Sequence, residues 1–408
     1  MTPLRRNRDF VLLWTGMAVS VLGSRISGTA YPLLVLALTH SPAKAGLVGF
    51  LATLPYLLFQ LPAGGLVDRW NRKRTMIVCD AGRGIALASL AVALLAGHLT
   101  LAQIGAVAFV EGTLFVLFNL AETAAVRQVV PLEQLPAALS QNEARNRGAS
   151  MAGQPLGGLL FGIGRSVPFL VDAVSYAVSI ASLLLIRAEF QEERSEEPRG
   201  RLVTEIKEGV VWLWRQPFLR MAAVLVAGSN FLFQALVLVL IVIARDHGAS
   251  PALIGVMLAG AGVGGVLGSL IAPWLQRHVP AKTVVIGANW VWALLMPLVA
   301  VVSSPYLLGA VFAAMAFVGP AWNVVIGSYQ LSITPDRLLG RVSSAEVLVA
   351  YGAIPLGSLA AGVLLESIGP TKTVVGLSAF MLLLAVSATA SRAIRDAPTL
   401  AEAAAART

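Results

Sequence analysis

"GLVGFLATLPYLLFQLPAGGLVDRWNRKR", residues 46–74, runs from Gly46 to Val67 without a charged side chain and then sets one acid and four bases between Asp68 and Arg74. About 20 apolar residues, each rising about 1.5 Å in a helix, cross a bilayer, so the first part reads as a membrane span that stops abruptly at a surface. Bases at such a stop need do nothing beyond fixing topology. Asp68 does not suit that purpose, because a carboxylate contributes little to retention on the inner side. The segment therefore reads as a span followed by a working loop.

The same pattern fills the chain. Of its 408 residues 57% are hydrophobic and 12% charged, against about 25% charged in soluble domains. Its mean hydropathy is +0.78. Apolar runs at 10–37, 46–67, 74–97, 100–123, 141–163, 167–187, 217–244, 251–275, 283–302, 305–328, 342–365 and 371–391 predict twelve spans. They lack the alternation of barrel strands, and backbone groups in lipid must be satisfied within each span, so the fold class is an all-α membrane bundle. The opening "MTPLRRNRDFVLLWTGMAVSVLG" has the charge layout of a signal peptide, but no small-residue cleavage site precedes Arg25, and it is read as a retained first span.

A net charge of +9 would suggest nucleic acid in a soluble protein; here its location decides. With the N-terminus cytoplasmic, all of the 30 Lys and Arg except Arg25, Lys44, Arg83, Arg165, Arg245 and Lys372 fall on cytoplasmic loops, helix ends and tails. The positive-inside rule then puts both termini in the cytoplasm. Cys79 stands alone, and His40, His98, His247 and His278 lie near different loop ends, so neither a disulfide nor a metal site is expected. A phosphate-binding loop is also missing, so no cofactor is expected and any active transport needs an ion gradient or another subunit.

The acid-rich stretch 187–220 divides the chain. The expected organisation is a six-span bundle over 1–187, a cytoplasmic linker over 188–216, a second bundle over 217–391 and a tail over 392–408. Leu202, Ile206, Val210 and Leu213 share one face of a short amphipathic helix in the linker, which is either a charged tether or a regulatory element. "PLGGLLFG" at 155–162 returns as "PLGSLAAG" at 355–362, and "VPLEQL" at 130–135 as "TPDRLL" at 334–339. Residues 46–69 are echoed more weakly by 255–277. A duplicated set of six spans accounts for this, the alternative being chance likeness of Gly-rich helices; it implies two pseudo-symmetric lobes that hold substrate between them.

With these residues in view the chain resembles the major facilitator superfamily over essentially its whole length. Gly64, Leu66, Asp68, Arg69, Arg72 and Lys73 match that family's loop signature, with Asn71 replacing the usual glycine and expected to take the same left-handed turn. "VDAVSYAVS", "EIKEGVVWLWRQPFLR" and the residues around the loop are similar to the branch of macrolide and enterobactin exporters, which implies proton-driven export. That branch often has an acid after the first-span glycine, where this chain has Gly23-Ser24. The resemblance further implies that the loop meets "GRVSSAEVL", from Gly340, whose free helical N–H groups would be bonded by Asp68 as a gate. Arg72 is expected to bridge to Glu122.

Arg25 in span 1 and Glu111 in span 4 lie deep in apolar sequence, where either alone costs several kcal/mol. The family's cavity is lined by spans 1, 4, 7 and 10, so the two are expected to pair across it, with Glu111 carrying the proton or the pair simply joining two helices. Asp80 and Arg83 are one turn apart and can pair locally, the alternative being a part in the loop network or in proton coupling. Asp172 is expected in a packing role. Tyr31, Asn119, Asn230, Phe231, Gln234, Trp322 and Asn323 are the candidates for the substrate cavity, interhelical hydrogen bonding being the alternative. Gly153, Pro155, Gly157 and Gly158 provide small residues for close helix packing.

The expected function is export of an amphipathic small molecule in exchange for protons by a single chain in the bilayer. Uptake, or facilitated movement of another small molecule or lipid, is the alternative on the same fold. A membrane enzyme is least favoured, because no catalytic constellation is present.

Overall fold

A computed structural model describes residues 4–67, 69–190 and 202–396. Among them the chain is helical, without strands. The elements are α1 (Arg8–Thr39), α2 (Pro42–Val67), α3 (Arg72–Leu95), α4 (Leu101–Val129), α5 (Leu135–Ile163), α6 (Val167–Leu185), α7 (Leu202–Arg215) and α8 (Pro217–Asp246). They continue with α9 (Pro251–His278), α10 (Ala281–Leu295), α11 (Leu298–Val301), α12 (Pro305–Ile333), α13 (Asp336–Ile368), α14 (Pro370–Ala390) and α15 (Arg392–Arg395). Eleven stretches are long and apolar enough to cross a membrane, α10 and α11 counting as one. The twelfth crossing is α5, whose first half carries Glu143, Arg145 and Arg147 and whose second half is apolar. The protein is thus an all-α membrane protein with twelve crossings, six in each half of the chain.

Side-chain chemistry fixes the helix ends. Asn7 accepts from the Phe10 N–H at 3.1 Å to start α1, and Thr100 accepts from the Gln103 N–H at 3.2 Å to start α4. His40 closes α1 in the left-handed conformation, with φ 54°. Asn71 departs from the expected left-handed turn. Its φ of −68° and ψ of 110° are extended, and its side chain accepts from the Arg74 N–H at 3.0 Å, so it caps α3. Asparagine is among the best residues at that position, and this use wins over the turn. The predicted span 283–302 is also not one helix: Pro297 has no N–H and crowds the preceding turn, which separates α10 from α11.

The chain forms two compact units, residues 1–198 with 250–256, and residues 199–249 with 257–408. In the first, α1 packs on α5 and α6, α2 on α4, and α3 on α4 and α6. In the second, α8 packs on α13 and α14, α10 on α12 and α14, and α7 on α13. The pairings follow the same order in both halves, in keeping with the repeated sequence segments. Helices approach most closely where glycine leaves room. A Cβ at Gly264 of α9 would fall 1.9 Å from the Ala313 carbonyl of α12, and Gly260 and Gly268 meet the Gly309 and Phe317 carbonyls in the same way. In α5, a Cβ at Gly153 would lie 2.4 Å from the Cβ of Arg25, and one at Gly157 would lie 2.6 Å from the Ile26 carbonyl oxygen. Gly158 is equally tight against the Pro251 carbonyl, and Pro155 stays within the helix.

Candidate functional site

In the loop between α2 and α3, Asp68 lies outside the described residues. Gly64 lies in the last turn of α2, where an added Cβ would meet nothing within 4 Å, and the exposed Arg69 closes the turn by donating its N–H to Leu66 O at 3.0 Å. The basic residues that follow reach the residues just after α6: Arg72 Nη1 donates to Phe190 O at 3.2 Å and Lys73 Nζ to Ile186 O at 2.7 Å. Cations at the end of a helix satisfy carbonyls that have no partner within it. The expected bridge from Arg72 to Glu122 is not formed. Glu122 on α4 instead pairs with Arg145 of α5 at 2.7 Å, the arginine buried and the glutamate partly so.

Deeper in the first unit, three helices, α3, α4 and α6, bring together one guanidinium and three carboxylates, none more than 9% exposed, and α1 adds hydroxyl groups. Arg83 of α3 lies 3.5 Å from Asp80 one turn earlier and 3.9 Å from Glu111 of α4. Its Nη2 donates to Ser24 Oγ at 2.9 Å, and its guanidinium carbon stands 4.2 Å from the centre of the Tyr176 ring. Glu111 accepts from the Tyr31 hydroxyl at 2.9 Å and the Tyr176 hydroxyl at 3.0 Å. Asp172 of α6 accepts from the Ser27 hydroxyl at 2.5 Å and lies 3.4 Å from the Tyr176 hydroxyl. Tyr176 therefore links the two acids. Gly23 permits this contact of α1 with α6, since a Cβ there would fall 2.5 Å from Asp172 Oδ1.

Arg25 does not pair with Glu111, contrary to expectation. It is exposed and turned toward Gly153 of α5, and among the described residues it has no ion-pair partner. The reason is helical phase. Ser24, Ser27 and Tyr31 share one stripe of α1, and Arg25 stands about 100° away from Ser24 around the axis. Arg83 is the cation that meets Glu111. Tyr31, expected in the substrate cavity, belongs to this cluster, where its ring also meets Phe169 edge-on at 5.1 Å. Asp172, expected only to pack, belongs to it too. The pattern was available in the sequence as i, i+3, i+7 spacing of Ser24, Ser27 and Tyr31 and i, i+4 spacing of Asp172 and Tyr176.

The second unit holds a cavity of ≈ 230 Å³ lined by α8, α9, α10 and α12. Asn230, Trp322 and Asn323 line it, as do Phe233, Trp292 and Met315, which the sequence reading passed over. The last three follow from helical projection: Phe233 is one turn after Asn230, and Met315 is two turns before Trp322. Phe231 and Gln234 are not in its lining. Phe231 meets Phe380 of α14 edge-on at 5.8 Å, and Gln234 donates to Ser358 Oγ of α13 at 2.9 Å. Asn119 is exposed on α4. Asn230 also donates to Ala350 O at 2.7 Å, so it joins helices as well as lining the cavity.

Twelve crossings in two repeated sets of six, with a buried charge cluster in one unit and an aromatic-lined cavity in the other, define a polytopic transporter. The comparisons with known proteins agree. Over residues 1–407 the chain matches the family described as transmembrane secretion effector, and it belongs to that family within the major facilitator superfamily. It is 28% identical over 407 residues to the multidrug efflux pump Tap of Mycolicibacterium fortuitum, covering 95% of this chain and 96% of the relative. It is 23% identical over 371 residues to the macrolide efflux protein A of Streptococcus pyogenes, covering 88% of this chain and 90% of the relative. Among solved structures, the nucleoside transporter NupG superposes with a TM-score of 0.76 at 13% identity, over 94% of this chain and 100% of that one. A bacterial homologue of the human lysosomal transporter Spinster gives 0.71 at 16%, over 97% and 98%. These are transporters and not enzymes, and so is this chain.

Proposed function

We propose that the chain is a proton-coupled exporter of amphipathic small molecules, working by alternating access as a monomer in a bacterial inner membrane with both termini cytoplasmic. The names of the relatives support export, and the positive-inside distribution of Lys and Arg supports the orientation. The observation that carries proton coupling is the buried cluster of Asp80, Glu111 and Asp172 about Arg83. With all three acids ionised it would hold two uncompensated negative charges in a low-dielectric interior, a cost of several kcal/mol. Taking up a proton relieves one of them. Glu111 is the favoured carrier, since at 9% exposure it is the least buried of the three acids, and Arg83 and the two tyrosine hydroxyls hold its anion once the proton leaves. A gating role for Asp68 belongs to this reading, with one correction: α13 begins at Asp336, so Gly340 stands inside the helix and not at its free N-terminus. Arg72 and Lys73 hold the loop to the residues just after α6.

The test is substrate flux in proteoliposomes under an imposed pH gradient, with a panel of macrolides, siderophores and dyes. Flux that follows the gradient and reverses with it is expected; flux indifferent to it would leave a facilitator.

A further inference from the structure

We propose that the cavity inside the second unit is a binding compartment for an uncharged aromatic ring system carried by the transported molecule. This rests on the export reading and deepens it by naming the chemistry of the load. Phe233, Trp292 and Trp322 form three sides, with the Trp292 ring centre 5.2 Å from each of the other two. Trp292 is fixed before any ligand arrives, because its Nε1 donates to Met315 O at 2.8 Å. Pre-set rings bind a flat apolar partner without a further ordering cost.

Polarity in the compartment is sparse and specific. Ser229 lines it at 5% exposure, and its hydroxyl has no hydrogen-bond partner. That is unusual in this chain: Thr113, Ser269, Ser344 and Thr389, all helical, donate to the carbonyl four residues back. A buried hydroxyl left out of this pattern is set to bond a ligand. None of the lining residues is charged, so a cation brought here would meet no counter-charge. The volume of ≈ 230 Å³ lies below the roughly 300–1,000 Å³ of pockets that enclose whole drug-sized molecules, so it fits two or three fused or linked rings. The compartment shares no residue and no helix with the acid cluster, so ring binding and proton binding are separate events.

The experiment uses the full chain in lipid nanodiscs and N-phenyl-1-naphthylamine, a neutral aromatic amine, with empty nanodiscs as the lipid control. Saturable binding is expected. Gly319 borders the cavity, and a Cβ there meets nothing within 4 Å, so Gly319→Val fills the space without displacing backbone. It should weaken binding at least about tenfold, and Trp322→Ala similarly. Ser229→Ala should weaken it about threefold. Gly319→Val binding as tightly as the unaltered chain, uptake no greater than in empty nanodiscs, or equal competition by the cation phenyltrimethylammonium would each overturn the proposal. Gradient-independent flux with ring binding intact would instead remove only the proton coupling.

Discussion

A guanidinium at 2% exposure within a membrane helix is stable only where anions and acceptors surround it, and Arg83 has Asp80 at 3.5 Å, Glu111 at 3.9 Å and Ser24 at 2.9 Å. Arg83→Leu leaves three buried carboxylates facing no cation and should cost about 3–5 kcal/mol, read as a large loss of melting temperature in detergent. Adding Glu111→Gln should recover part of that loss, because one stranded charge is removed. Alone, Glu111→Gln should keep the fold and lower gradient-driven flux at least about tenfold. Arg83 and Glu111 were visible as charges in apolar sequence, but not as partners. Arg25, equally conspicuous, drew the pairing to itself, and only helical phase separates it from Ser24 and the cluster. Where a side chain lies around an axis depends on which neighbours the helix meets, which the order of residues does not state.

At the scale of elements, the start of α3 is an N-cap joined to two cationic anchors. Asn71→Ala should destabilise it by about 1 kcal/mol, whereas Asn71→Gly should cost only a few tenths, both measured by thermal melting. The difference separates a capping role from a left-handed turn, for which glycine would be the better residue. In the second unit, Gly264→Leu would force α9 away from the Ala313 carbonyl and should cost about 1–3 kcal/mol, with loss of properly folded yield. Spans of this length were legible almost to the residue, as at α8, because hydropathy reports directly what lipid requires. The break at Pro297 was not, since proline is also tolerated inside α1, α2, α5, α9, α12 and α13. Proline interrupts a helix only where surrounding groups fail to satisfy the freed carbonyl.

At the scale of the whole molecule, the repeated segments around positions 155 and 355 made a duplicated bundle readable from sequence, and the two sets of helix pairings repeat in the same order. The separation of the acid cluster and the aromatic cavity into different units was not readable. Sequence reasoning pooled Tyr31 with Trp322 as cavity residues, yet the first belongs to the acid cluster and the second to the aromatic cavity of the other unit. A proton held in one unit and a load held in the other are coupled only through a conformational equilibrium that both bias. Exchange should therefore show proton and substrate each altering the other's transport without competing for one site. The most direct test is proton movement recorded with a pH-sensitive dye trapped in proteoliposomes while substrate is driven across. The unaltered chain should move protons against the substrate and Glu111→Gln should not. Substrate crossing at the full rate with no proton movement in the unaltered chain would contradict the account.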